Sequence, residues 1–115
     1  MEFTYAATPE QERAYSEIAA GAFSQYTDMG DHIFAQLKRP LYKREHARIV
    51  VDDGEVVAGV AIVELPVRYG DAVLRIGGIG AVATNPERQG CGYGRNCMQD
   101  TVDYLAADGF DISIL

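Results

Sequence analysis

Three glycines alternate along one short segment of the chain, at Gly90, Gly92 and Gly94. The apolar residues before them end in the turn signal Asn85-Pro86, and the residues after them have helical periodicity. A glycine-rich turn that opens a helix brings free backbone N–H groups together with little side-chain bulk in front of them. Such a turn can hold a phosphate group without a lysine, so the sequence predicts an anion-binding turn here.

The spacing of these glycines argues against two common nucleotide motifs. A P-loop requires a lysine and then Ser or Thr after its last glycine, and neither follows Gly94. A dinucleotide fingerprint requires Gly-x-Gly-x-x-Gly within a βαβ unit, whereas the strands before Gly90 read as antiparallel hairpins. A structural alternative stays open, in which the glycines only allow the helix to pack closely on the sheet.

Hydrophobic periodicity predicts a single α/β unit of alternating short elements. The predicted strands are 2–7, 47–51, 55–65, 72–83 and 110–115, and the predicted helices begin at Thr8-Pro9, cover 31–37 and cover 92–108. Asp52-Asp53-Gly54 predicts a tight hairpin, and a second turn is expected over 68–71. A helical crossover precedes the last strand, which predicts that it runs parallel to strand 72–83.

Two helical stripes and one glycine cluster are the expected packing features. The first helix is expected to bury Tyr15, Ile18, Ala19 and Phe23. The last helix is expected to have one apolar face, formed by Met98, Thr101, Val102 and Leu105, and to end at Gly109. Gly77, Gly78 and Gly80 interrupt strand 72–83, which indicates a bulge or the close approach of another group.

Composition narrows the class of protein. The chain has 115 residues and a net charge of −7, which fits one domain and argues against a general nucleic-acid binder. No signal peptide and no membrane-spanning run is present in the sequence, so no membrane partner and a cytoplasmic location are expected. Cys91 and Cys97 are too far apart on a helix for a comfortable disulfide, and no metal-ligand spacing accompanies them, so no metal is expected.

A few charged and reactive residues carry two interpretations each. Half of the basic residues cluster at Lys38, Arg39, Lys43, Arg44 and Arg48, which indicates either a solvated helix end or a patch for an anionic ligand or partner. Cys91 lies at a predicted helix start, where a thiol pKa is lowered and the sulfur could act as a nucleophile. Its position in the glycine-rich turn indicates instead that the backbone N–H of Cys91 is the functional group. Cys97 is expected to pack in the core. Asp31, His32 and His46 are candidates for amine chemistry by residue type alone, beside surface or core roles.

The order of strand, Val-Ala-Thr-x-Pro turn, Gln89-x-x-Gly92-x-Gly94 and amphipathic helix resembles motif A of the GCN5-related N-acetyltransferase (GNAT) family. Gly90 and Arg95 also match residues often seen around that signature, and the order of the preceding elements fits the family fold over essentially the whole chain. Three features resemble the branch of the enhanced-intracellular-survival acetyltransferases: the hairpin pair, the strand with Gly77-Gly78-Ile79-Gly80, and the ending 110–115. The resemblance implies an α+β fold with a mixed, mostly antiparallel sheet and helices on both faces.

The resemblance also implies an acetyl-CoA site. The N–H groups of Cys91, Gly92, Tyr93, Gly94 and Arg95 would hold the pyrophosphate, with Arg95 either adding a charge contact or facing solvent. The pantetheine arm would pair with Gly80, Ala81, Val82 and Ala83, and the thioester carbonyl would lie near the backbone N–H of Val82. Residues 110–115 would form the far wall of the slot. Gln89 and Gly90 complete the expected cofactor-binding set.

The expected activity is transfer of the acetyl group to a primary amine of a small molecule or peptide by direct attack. The alternative is a non-catalytic CoA-binding or interaction module. Family members continue past strand 110–115, so the resemblance implies that residues 1–115 are the N-terminal portion of the domain, truncated after the fifth strand. The outer edge of that strand would then be unpaired, which predicts self-association of the chain through this edge.

Overall fold

The computed structural model describes residues 1–22 and 40–115. These residues form five strands and two α-helices. In chain order they are β1 (Glu2–Tyr5), α1 (Pro9–Ala22), β2 (Ala47–Asp52), β3 (Glu55–Tyr69), β4 (Ala72–Thr84), α2 (Tyr93–Ala107) and β5 (Ile112–Ile114). Short 3-10 turns cover Arg44–His46 and Pro86–Arg88. The helix expected over 31–37 lies outside the described residues.

The strands form one sheet in the order β1-β2-β3-β4-β5. Neighbouring strands are antiparallel except β4 and β5, which are parallel because α2 crosses over between them. The mixed, mostly antiparallel sheet and the parallel last strand are therefore confirmed. Gly109, with φ 80°, follows the end of α2 as expected of a C-terminal glycine.

The hairpin between β2 and β3 turns where the sequence predicts it. Asp53 and Gly54 both have positive φ, 53° and 76°, which suits a two-residue turn between twisted antiparallel strands. The prediction that β3 ends at 65 is wrong, because the strand continues through Pro66 to Tyr69. A proline is tolerated there because β2 pairs with β3 only as far as Ala61, which leaves this part of β3 as an edge.

Within residues 1–22 and 40–115, the sheet carries one helix on each face, which confirms the expectation of helices on both faces. Tyr15 and Ala19 of α1 pack on one face with Ala47, Ile49, Ala61 and Ala83. Tyr93, Cys97 and Leu105 of α2 pack on the other face with Val50, Val57, Val60, Ile62 and Ile79. The two cores therefore lie on opposite sides of the central strands β2, β3 and β4.

The apolar face expected for α2 is partly wrong. Val102 is 43% exposed, and the buried stripe is Tyr93, Cys97, Thr101 and Leu105. These four residues repeat at i, i+4, so they form a single row along the helix, whereas Val102 falls one position beside it. The Leu105 side chain packs directly against Gly77, because a Cβ added at Gly77 would lie 2.7 Å from Leu105 Cδ2. The expected close approach at this glycine is confirmed.

The far edge of the sheet is β5. Within residues 1–22 and 40–115, no strand pairs with its outer side, and Ile112, Ile114 and Leu115 are exposed. An unpaired strand edge is a template for pairing with another chain. Self-association through this edge stays a prediction.

Candidate donor-binding site

The start of α2 is built from two glycines in the left-handed region. Gly92 is the N-cap residue with φ 80°, and Gly90 has φ 86°. Among the described residues, a Cβ at Gly90 would meet no atom within 4 Å, and one at Gly92 would meet only Asn96 Nδ2, at 3.7 Å. No described residue therefore fills the space around these two glycines.

The free N–H groups of this turn follow from the helix geometry. Asn96 N–H donates to the Gly92 carbonyl at 3.1 Å, which is the first bond of the α2 ladder. The N–H groups of Tyr93, Gly94 and Arg95 precede it and have no partner within the helix. They lie at the positive end of the helix dipole, so the turn can accept an anion.

The same turn is held against the β2–β3 hairpin by side chains. The Tyr93 hydroxyl donates a hydrogen bond to the Asp52 carboxylate. Arg88 lies 3.6 Å from Asp52 and 3.2 Å from Glu55. The Tyr93 hydrogen bond lowers the pKa of Asp52, and the same bond raises the pKa of Tyr93. Sequence reasoning missed these three anchors.

The end of β4 is bulged. Gly59 pairs with Ala83 and Ala61 pairs with Gly80, so Ala81 and Val82 together oppose one residue, Val60, on β3. Ala81 has φ 49°, which is uncommon for a residue with a Cβ. The bulge expected from the glycines of this strand is therefore present, immediately after Gly80.

The bulge lies beyond the part of β4 that pairs with β5. β5 pairs with β4 only at Ile76, Gly77 and Gly78, and β4 continues to Thr84. Beyond Gly78, no described strand pairs with β4 on the β5 side. Val82 is partly exposed there, whereas Ala83 is buried. Among the described residues, the β5-side edge of β4 is therefore unpaired beside the bulge.

The helix start and the bulged strand are brought together at Gly94. A Cβ at this position would lie 3.3 Å from Thr84 Oγ1, at the end of β4. Close packing therefore accounts for Gly94, whereas positive φ and open space account for Gly90 and Gly92. The structural interpretation therefore holds for Gly94, and the binding interpretation of Gly90 and Gly92 stays a prediction.

The model of the "Acetyltransferase (GNAT) domain" family matches residues 5–115. The chain belongs to the GNAT acetyltransferase family. No match is found among curated protein sequences.

Solved structures of GNAT proteins share the fold. A GCN5-related N-acetyltransferase from Anabaena variabilis has a TM-score of 0.78 at 23% identity over 99% of this chain and 28% of its own. Eis1 from Mycobacterium abscessus has a TM-score of 0.73 at 10% identity over 96% of this chain and 27% of its own. An aminoglycoside 6'-N-acetyltransferase complexed with coenzyme A has a TM-score of 0.66 at 12% identity, over 93% of this chain and 56% of its own. The chain thus spans less than two thirds of each of these proteins.

The remaining residues expected to bind the cofactor lie on the surface of the turn. Gln89, Gly90, Cys91 and Arg95 are at least partly exposed. Both cysteines are free, as expected, and Cys97 is buried with its thiol directed at the Arg48 carbonyl. Burial raises the pKa of the Cys97 thiol to about 12, which suits a packing role.

The interpretation of the basic cluster needs correction at Arg48. Arg48 is not part of a solvated face or a free basic patch, because its guanidinium is largely buried, 3.1 Å from Asp100 and stacked over Tyr104. Arg44 donates to the Ala7 carbonyl at 2.6 Å and lies 3.8 Å from Glu12. Lys38 and Arg39 lie outside the described residues.

Of the three residues considered for amine chemistry, His46 lies among the described residues. His46 is 1% exposed, between Tyr42, Tyr104 and Phe110, so it belongs to the core. Asp31 and His32 lie outside the described residues. Among residues 1–22 and 40–115, no group of three His, Cys, Asp or Glu residues is placed to hold a metal, and no helix is long and apolar enough to cross a membrane.

Proposed function

We propose that the chain binds acetyl-CoA and forms the donor side of an N-acetyltransferase that transfers the acetyl group to a primary amine. The observation that carries the proposal is the pair of left-handed glycines, Gly90 and Gly92, opening α2 beside a bulged strand. The expected fit is a diphosphate on the turn and an extended, amide-rich arm along β4. A Cβ at Gly90 or Gly92 would project into the space that the diphosphate needs.

The turn binds the diphosphate through backbone groups. The N–H groups of 91–95 converge without a side chain in front of them, and the helix dipole favours negative charge at the same point. Each favourable charge at a helix end contributes about 0.3–1 kcal/mol, and up to about 2 kcal/mol when partly buried. Several convergent N–H groups are therefore needed. Arg95 is exposed on the first turn of α2, where it can add a charge contact.

The bulged end of β4 binds the pantetheine arm and the thioester of acetyl-CoA. Backbone groups of Gly80–Ala83 pair with the amides of the pantetheine arm, in the manner of an added strand. The bulge takes Ala81 and Val82 out of the regular ladder with β3, which frees the Val82 N–H to polarise the thioester carbonyl.

Direct attack by the amine on the thioester carbonyl is favoured, because neither cysteine is placed to act as the nucleophile. The Cys97 thiol is buried and protonated, and Cys91 contributes its backbone to the turn. Transfer within a ternary complex needs no covalent enzyme intermediate. The acceptor is a small-molecule or peptide amine, and the net charge of −7 favours a cationic one.

Isothermal titration with acetyl-CoA and with CoA tests the donor site. Gly92→Ala is compared with Gly70→Ala, since both glycines have positive φ, 80° and 62°, and neither has a crowded Cβ position. The two variants therefore carry similar backbone strain, of about 1–2 kcal/mol. We expect Gly92→Ala to weaken binding by about tenfold or more and Gly70→Ala to leave it within about twofold. Equal effects, or a folded wild-type chain that binds neither ligand, contradict the proposal.

A non-catalytic CoA-binding module is the second candidate, because His46, the candidate for amine chemistry among the described residues, is 1% exposed in the core. An acetylation assay over a panel of primary amines separates the two. Product formation that is lost in Gly92→Ala supports transfer. Tight binding without any product supports the binding module.

A further inference from the structure

The bulge of β4 is held by a side chain from α1. The Tyr15 hydroxyl donates a hydrogen bond to the Ala81 carbonyl at 2.6 Å, and Tyr15 is 0% exposed. Ala81 has φ 49°, a conformation that residues with a Cβ keep only when their surroundings fix it. The hydrogen bond therefore acts on the one strained residue of the bulge.

The ring of Tyr15 reaches the bulge because β3 carries a glycine beneath it. A Cβ at Gly59 would lie 2.5 Å from Tyr15 Cε1 and 3.0 Å from Cγ, closer than packed carbon atoms approach. Gly59 pairs with Ala83, just past the bulge. A glycine weakens a buried strand, so its presence here fits a need to admit the ring.

The Tyr15 hydroxyl and the Ala81 carbonyl each provide the hydrogen-bond partner that the other needs. A bulge removes a residue from the regular ladder, so the Ala81 carbonyl needs another donor. The hydroxyl, buried under α1, needs an acceptor. A phenylalanine would fill the same volume but would leave the carbonyl without this donor.

We infer that Tyr15 is a positioning residue of the donor site: it fixes the β4 bulge so that the Val82 backbone N–H is directed at the acetyl carbonyl. The inference rests on the proposed function, because it takes acetyl-CoA as the ligand of the glycine turn and of the unpaired edge of β4. The diphosphate is bound at the start of α2, whereas the acetyl carbonyl and the pantetheine arm meet the bulge. Loss of the hydroxyl therefore reduces recognition of the acetyl group most, and recognition of the CoA moiety less, because the diphosphate turn is retained.

The experiment compares Tyr15→Phe with Tyr42→Phe by titration with acetyl-CoA and CoA. Tyr42 is a matched control, because its hydroxyl also contacts α1, at Glu12 Oε1 (3.5 Å), but lies outside the bulge. The Ala81 Cα and Cβ chemical shifts of the free protein report the conformation of the bulge directly. Gly59→Ala, which displaces the ring, is compared with Gly21→Ala on α1, where a Cβ meets nothing within 4 Å.

We expect Tyr15→Phe and Gly59→Ala to shift the Ala81 resonances and to weaken acetyl-CoA binding more than CoA binding, so that the preference for acetyl-CoA over CoA falls by about fivefold or more. The two controls retain wild-type values. A preference that survives in a folded Tyr15→Phe, unmoved Ala81 resonances, or an equal loss of both affinities overturns the positioning role alone. A folded wild-type chain that binds neither ligand overturns the proposed function together with this inference.

Discussion

The Tyr93 hydroxyl, on the first turn of α2, donates a hydrogen bond to the Asp52 carboxylate at the end of β2. This bond ties the glycine turn to the sheet. Arg88 adds a second tie from the same turn to the same carboxylate, at 3.6 Å. The backbone N–H groups of the turn are thus held in place before any ligand arrives, which lowers the ordering cost of binding.

Removal of the Tyr93 hydroxyl tests this anchor. In Tyr93→Phe, we expect the pKa of Asp52 to rise toward its ordinary value of 3.8, because the hydrogen bond that lowers it is gone. Acetyl-CoA binding weakens several-fold, because the turn is less well fixed. An NMR titration of the Asp52 carboxyl carbon and a calorimetric titration measure the two effects. An unchanged Asp52 pKa contradicts the anchor.

His46 predicts a pH dependence of stability. Burial lowers the pKa of His46 from 6.5, and Lys43, Glu45, Glu64 and Asp108 also act on it. Its Nδ1 accepts a hydrogen bond from the Lys43 N–H at 3.4 Å, which only the neutral ring can do, so the neutral ring is favoured in the folded state. Between the lowered pKa and 6.5, the unfolded chain holds more protons on His46 than the folded chain does. The stability that the neutral ring contributes is therefore complete above about pH 6.5 and is lost as the pH falls below it.

Urea unfolding of wild type and His46→Phe from pH 8 to pH 5 measures this contribution. The substituted phenylalanine keeps an aromatic ring between Tyr42, Tyr104 and Phe110 but cannot titrate. We expect the free energy of unfolding of the wild type to fall more steeply below pH 6.5, with an excess slope of at most about 1.4 kcal/mol per pH unit. Parallel curves for the two proteins would show that His46 is not the group that titrates.

The two cysteines are expected to react differently with a thiol reagent at neutral pH. Cys91 is exposed, whereas Cys97 is buried with a pKa of about 12, so only Cys91 reacts in the folded chain and Cys97 reacts after unfolding. Cys91→Ser keeps acetyl-CoA affinity within about twofold, because the turn uses its N–H. A large loss of affinity in Cys91→Ser would assign a role to the sulfur.

The outer edge of β5 is expected to promote association between copies of the chain. Ile112 and Ile114 are exposed beside this edge. Sedimentation equilibrium of the wild type should show concentration-dependent association, and Ile114→Lys should reduce it, because a charge on the edge opposes strand pairing. Identical sedimentation of both proteins as monomers contradicts the prediction.

The sequence predicted local features of this fold well. The Asp53-Gly54 turn, the helix opening at Gly92, the stop at Gly109 and the bulge after Gly80 each depend on residues within a few positions of one another. Turn chemistry and helix capping are local, so the sequence carries them directly.

The contacts that organise the candidate site are not local. Tyr15 and Ala81 are 66 residues apart, and Tyr93 and Asp52 are 41 apart. Periodicity indicates that Tyr15 faces the core, but it does not indicate which carbonyl its hydroxyl meets. The burial of Arg48 against Asp100 was missed for the same reason, because charge clustering in the sequence does not report partners on another element. The extension of β3 through Pro66 depended on where β2 stops, which is also a property of the assembled sheet.

An NMR titration of the isotope-labelled chain with acetyl-CoA tests most directly the claim that the glycine turn and the end of β4 bind this cofactor. We predict the largest backbone amide shift changes at 91–95 of the turn and 80–83 of β4, with little change at the Gly70 turn. Shift changes confined to other parts of the sheet, or no changes in a folded chain at saturating acetyl-CoA, would contradict it.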